Sequence, residues 1–86
     1  MTNDLSDFEG AFTIIGSPSC TYCTRAKTYL DAQDRDYVYF DIEDYPWLVP
    51  LLVRANLKKV PQVFSPSGSY IGGYDDLVDY LNEEHL

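Results

Sequence analysis

SPSCTYCTRAK, Ser17 to Lys27, carries both cysteines of the chain, separated by Thr21 and Tyr22. Just before it runs Ala11 to Gly16, AFTIIG, which is apolar, too short for a helix and ended by Gly-Ser-Pro. That pattern predicts a buried strand. From Cys20 to Gln33, Cys23, Ala26 and Leu30 recur with helical spacing while Arg25, Lys27 and Asp31 fall elsewhere, which predicts an amphipathic helix. Both cysteines are therefore expected at a strand-to-helix junction, in the first turn of the helix.

The elements beyond follow from the same signals. Tyr37 to Asp41, YVYFD, is β-branched and aromatic and comes after the polar turn Asp34-Arg35-Asp36, so it reads as a second strand. Between Pro46 and Asn56, Trp47, Leu48, Leu51, Leu52 and Ala55 repeat at helical spacing, with Pro50 one turn in, where it delays or kinks a helix. Pro66-Ser67-Gly68 separates two short apolar runs, Gln62 to Ser65 and Ser69 to Gly72, the mark of a β-hairpin. Tyr74, Leu77, Val78 and Leu81 then form the apolar stripe of a closing helix. The order β-α-β-α-β-β-α predicts an α/β fold with a four-stranded mixed sheet flanked by three helices.

With 86 residues and 45% apolar side chains, one domain with a real core is expected over 11–86. The polar, acidic residues 1–10 read as a loose extension. A formal charge of −8 opposes binding to nucleic acid and to anionic membrane surfaces, since the Coulomb contribution to either is repulsive. The stretch after Met1, TNDLSDFEG, lacks the features of a signal peptide, and no apolar run approaches the roughly 20 residues of a membrane span. A cytoplasmic protein is expected.

Three uses of a CxxC pair compete. Zinc needs four ligands, and this chain offers two cysteines and the lone His85. A structural staple is the poorer reading, because small secreted domains usually carry four or more cysteines. Redox exchange fits the junction. Unpaired N–H groups and the helix dipole favour a thiolate at Cys20, and Arg25 and Lys27 add positive charge nearby. Cys23, one turn on and more buried, is placed to attack a mixed disulfide formed on Cys20. Cys20 is thus the expected nucleophile, the first of the two to titrate, and Cys23 the expected resolver.

The residues resemble the glutaredoxins, a family with the thioredoxin-like fold. CTYC at 20–23 is similar to the family's CPYC, Val60-Pro61 to its TVP loop, and GGYDDL at 72–77 to its GG-x-[ST/D]-D signature. The resemblance covers 12–81, and VPQVFSPSGSYIGGYDDLVDYL further resembles the compact glutaredoxins of bacteriophages. It implies a cis Pro61 facing the sulfurs, with the Val60 backbone pairing with an extended thiol peptide. It also implies that the N–H groups of Tyr74 and Asp75, beside Gly73, hold the γ-glutamyl carboxylate of glutathione. Asp76 then takes its ammonium, and Tyr22 flanks the sulfur. Three departures stand out: Thr21 replaces the inter-cysteine proline, Ser17 the usual basic residue before the motif, and Lys59 the Thr of TVP. Lys58, Lys59, Arg54 or Arg25 is expected to take over the lost anchor, with Arg25, Lys27, Lys58 and Lys59 bordering the site.

The implied activity is that of a dithiol glutaredoxin, an enzyme that reduces protein disulfides and glutathione mixed disulfides. Glutathione is its reductant and co-substrate, and no metal takes part. A monomer in the cytoplasm is expected, that of the host if the chain is phage-encoded, with ribonucleotide reductase as the client implied by the phage likeness. Two alternatives stand beside it. In one, Cys20 from two chains and two glutathiones ligate a [2Fe–2S] cluster, a possibility raised by Thr21. In the other, a flavoprotein reductase supplies the electrons, as the missing anchor at Ser17 would permit.

Overall fold

A computed structural model describes residues 10–57 and 59–84. Most of the extension expected over 1–10, together with Lys58 and His85, lies outside the described residues. The chain runs β1 (Phe12–Gly16), α1 (Thr21–Ala32), β2 (Tyr37–Asp41), α2 (Leu48–Arg54), β3 (Gln62–Phe64), β4 (Tyr70–Gly72) and α3 (Tyr74–Glu84). This is the expected order. The sheet is four-stranded in the order β2-β1-β3-β4. β1 pairs with β2 in parallel, from Phe12 opposite Tyr37 to Gly16 opposite Asp41. Parallel neighbours need a crossover, which α1 supplies. β3 runs antiparallel to β1, with Ile14 opposite Val63, and β4 antiparallel to β3 with a bulge between Val63 and Phe64. The mixed, thioredoxin-like sheet follows.

Side-chain periodicity decides what lies inside. Phe12 and Ile14, two apart on β1, share one face, and Cys23, Ala26 and Leu30 are the buried residues of α1. Leu77 and Leu81, four apart on α3, join Phe12, Ile14, Ala26, Leu30 and Val63 in one core cluster. α1 and α3 thus pack against each other and the sheet. Each fully buried leucine there contributes about 1.5–3 kcal/mol by leaving water. β1 is thereby fixed against α1, and its end at Gly16 delivers the chain to the cysteines.

The helix ends are defined by backbone chemistry. After α1, Asp34 takes φ 59. The Asp34 N–H then bonds the Asp31 carbonyl at 3.0 Å and the Arg35 N–H that of Leu30 at 2.9 Å. α2 stops the same way: Asn56 takes φ 63, its N–H bonds the Val53 carbonyl, and the Leu57 N–H bonds that of Leu52. Both are Schellman motifs, built on the two residue types that best tolerate the left-handed region besides glycine. Pro50 falls in the first turn of α2, where its missing N–H has no helical partner to lose. α2 buries none of its residues, and Trp47 and Leu51 of the apolar repeat are 60% and 51% exposed.

Candidate active site

Cys20 is the N-cap of α1, with extended dihedrals φ −93 and ψ 111. Its carbonyl accepts the Thr24 N–H at 3.3 Å, and its sulfur accepts the Cys23 N–H at 3.1 Å. Caps are usually oxygen. Here a sulfur takes that place, so the helix start directs a donor at the Cys20 sulfur. On its other side the Cys20 thiol faces the Val60 carbonyl at 3.5 Å. The Val60–Pro61 bond is cis. Both cysteines are free, Cys20 half-buried and Cys23 buried at 1% exposure.

Burial, and next its hydrogen bond with Cys20, push the Cys23 thiol up from 9.0 to about 12. A backbone hydrogen bond from Ser17 and the charge of Lys27 pull the other way. The Cys23 sulfur fits because β1 ends in glycine. A Cβ on Gly16 would lie 2.6 Å from Cys23 Sγ and 3.0 Å from Tyr39 Cε1.

Beside Cys20 opens a cleft of about 520 Å³, lined by Tyr22, Lys59, Val60, Pro61, Gln62, Tyr70, Gly73, Tyr74, Asp75 and Asp76. All eight residues expected around glutathione are therefore brought together. Three stretches far apart in sequence meet there: the CxxC turn, the loop before β3 and the start of α3. Tyr22 and Tyr74 lean together at 5.9 Å between ring centroids, and the Arg25 guanidinium lies 5.1 Å from the Tyr22 ring centre. Asp76 turns back to accept the Gly73 N–H at 3.1 Å, half of a capping box.

Two lining residues escaped the sequence reading. Gln62, 5% exposed, donates to the Lys59 carbonyl at 2.6 Å and accepts from the Tyr70 hydroxyl at 2.6 Å. It ties the loop before β3 to β4. The available signal was a polar residue inside an otherwise apolar strand, which must find partners if buried. The expected basic border is also corrected. Lys59 is the only basic residue among those lining the cleft, Arg25 stands one ring behind it, and Lys27 lies over Tyr39 instead, 4.1 Å from the ring centre. The ring face, carrying negative quadrupole, captures the ammonium.

A sulfur held as a helix cap next to a second, buried thiol can exchange with a disulfide presented from the cleft. Known proteins agree with that chemistry. The sequence model of one family, Glutaredoxin, matches residues 12–71. A glutaredoxin of Enterobacteria phage T4 is 35% identical over 73 residues, covering 72% of this chain and 84% of that protein. A dithiolic glutaredoxin of Trypanosoma brucei brucei superposes with a TM-score of 0.73 at 27% identity, over 99% of this chain and 91% of its own. A buckwheat glutaredoxin solved in complex with glutathione has the same fold, with a TM-score of 0.74 at 22% identity over 93% and 76% of the two chains. The chain belongs to the glutaredoxin family of thiol–disulfide oxidoreductases.

Proposed function

We propose that the protein is a dithiol glutaredoxin that draws its electrons from glutathione and reduces glutathione mixed disulfides and protein disulfides. The observation that carries this reading is the position of Cys20 Sγ, capped by the Cys23 N–H and facing Val60 at the edge of the cleft. Cys20 attacks the disulfide and forms a mixed disulfide with one half. Cys23 or a glutathione thiolate then displaces that half, and glutathione restores the dithiol. An extended thiol peptide laid against Val60 would follow the mode in which a strand adds to exposed backbone.

In the cleft, Gly73 leaves room beside Pro61, and the first N–H groups of α3 have no helical partners. They suit the carboxylate of the γ-glutamyl end, and Asp76 suits its ammonium. Lys59, which also lines the cleft, suits the glycine carboxylate that Ser17 cannot hold. Glutathione is bound in the buckwheat relative, whose likeness carries the fold alone, so its place here rests on this fit. We propose ribonucleotide reductase as its client, the partner that the resemblance to phage glutaredoxins implies. We further propose a monomer working in a reducing compartment such as the cytoplasm, where glutathione keeps the dithiol supplied.

Turnover of a glutathione mixed disulfide, with glutathione or with a flavoprotein disulfide reductase as electron source, tests the proposal. Faster turnover with glutathione, abolished in Cys20→Ser, is expected. Turnover only with the flavoprotein would refute glutathione as reductant.

A further inference from the structure

Cys23 has to lose its proton before it can attack, and burial and its contact with Cys20 both oppose that. Lys27 follows Cys23 by four residues on α1, a spacing that places the two side chains on one helix face. Its ammonium does not swing free. It sits 4.1 Å from the centre of the Tyr39 ring, and that ring in turn crowds the same point above Gly16 as the Cys23 sulfur. Lysine, tyrosine and cysteine therefore form one packed group. None of the cleft-lining residues belongs to it.

We infer that Lys27, clamped on the ring of Tyr39, is a positioning residue for the resolving thiol, fixing positive charge behind Cys23. The inference rests on the dithiol reading and deepens it. In the mixed disulfide, the Cys23 thiol gives up its proton, its sulfur bonds to Cys20 Sγ, and the bond between Cys20 and the client sulfur breaks. The client sulfur leaves with the electron pair and takes up a proton. The client is reduced, and Cys20 and Cys23 are left oxidised as a disulfide. Charge from Lys27 stabilises the Cys23 thiolate that precedes this step, as its effect on the thiol indicates. The other charged or titratable groups acting on Cys23 and Tyr39 are Cys20, Asp41 and Asp44.

Stopped-flow reaction with one equivalent of an aromatic disulfide that releases a coloured thiolate, the Ellman reagent, separates the two steps. Attack by Cys20 gives a second-order phase, and resolution by Cys23 a first-order phase. A thiol whose pKa rises loses more thiolate than it gains in nucleophilicity, so its attack slows. Lys27→Met is expected to slow the second phase by more than about twofold, move its pH profile to higher pH, and leave the first phase within about twofold. Lys27→Arg should restore both. A second phase in Lys27→Met identical to that of the parent, or an Lys27→Arg no better than Lys27→Met, overturns the inference. Tyr39→Leu keeps the charge but removes its clamp, and an unchanged second phase there overturns it as well. The assay contains no glutathione. A protein that resolves here but does not turn over with glutathione refutes the electron source and leaves the role of Lys27 tested; a parent lacking the second phase refutes the dithiol reading and, with it, the role of Lys27.

Discussion

Gly16 and Cys23 occupy one volume: a Cβ on the glycine would stand 2.6 Å from the cysteine sulfur and 3.1 Å from its Cβ. The end of β1 is therefore shaped to receive the buried thiol. Gly16→Ala is expected to destabilise the protein by about 1–3 kcal/mol through overpacking. Cys23→Ala should recover part of that loss in the double variant, since it removes the nearest clash. Urea denaturation of the four proteins in the cycle measures the coupling, and additive losses would show that the two residues do not compete for space.

The two glycines ahead of α3 are expected to behave differently. Gly72 has φ +131, and a Cβ there would run into the Asp76 carboxylate. Gly72→Ala should cost about 1–3 kcal/mol of stability. Gly73 has space, its nearest obstacle being the Pro61 carbonyl at 3.8 Å, so Gly73→Ala should fold within about 0.5 kcal/mol of the parent. Its methyl group would enter the cleft and raise the KM for a glutathione mixed disulfide. Thermal melts and steady-state kinetics on both variants check this split.

Alkaline stability carries the signature of Cys23. Its thiol is held up from 9.0 to about 12, chiefly by burial, and the Tyr39 phenol is held up from 10.0 to about 12 for the same leading reason. Each group binds its proton more tightly in the folded state. Their contribution is complete below the ordinary values of 9.0 and 10.0, and is lost as pH rises toward about 12. Denaturant midpoints across that window should fall with pH, and fall less steeply in Cys23→Ser. Equal slopes would mean that the thiol titrates alike in both states.

Gln62 closes the back of the cleft through two bonds of 2.6 Å. Gln62→Leu should cost about 1 kcal/mol and speed amide exchange at Lys59 and Val60. Unchanged exchange would show that the loop is held by other contacts.

What the sequence disclosed tracks how local each signal is. The stripe of Cys23, Ala26 and Leu30 marked the buried face of α1 directly, because a helix repeats its own geometry. The three motifs named every wall of the cleft except Gln62 and Tyr70, whose roles arise from a contact across the β3–β4 hairpin that no spacing announces. The repeat of Trp47, Leu48, Leu51, Leu52 and Ala55 located α2 but not its burial. Periodicity defines a face, and only the tertiary fold decides whether another layer covers it. Lys27 was legible as a charge near the thiols. Its capture by Tyr39 depended on the β2 register, which sets that ring beside Gly16.

The central claim is that Cys20 is the sulfur that attacks and Cys23 the one that resolves, and trapping tests it most directly. Cys23→Ser and Cys20→Ser, each incubated with glutathione disulfide at neutral pH, can be digested and mapped by mass spectrometry. The account predicts rapid addition of one glutathione to Cys20 in Cys23→Ser and little addition to Cys23 in Cys20→Ser, where the remaining thiol is buried and held protonated. Faster modification of Cys23 than of Cys20 would contradict it.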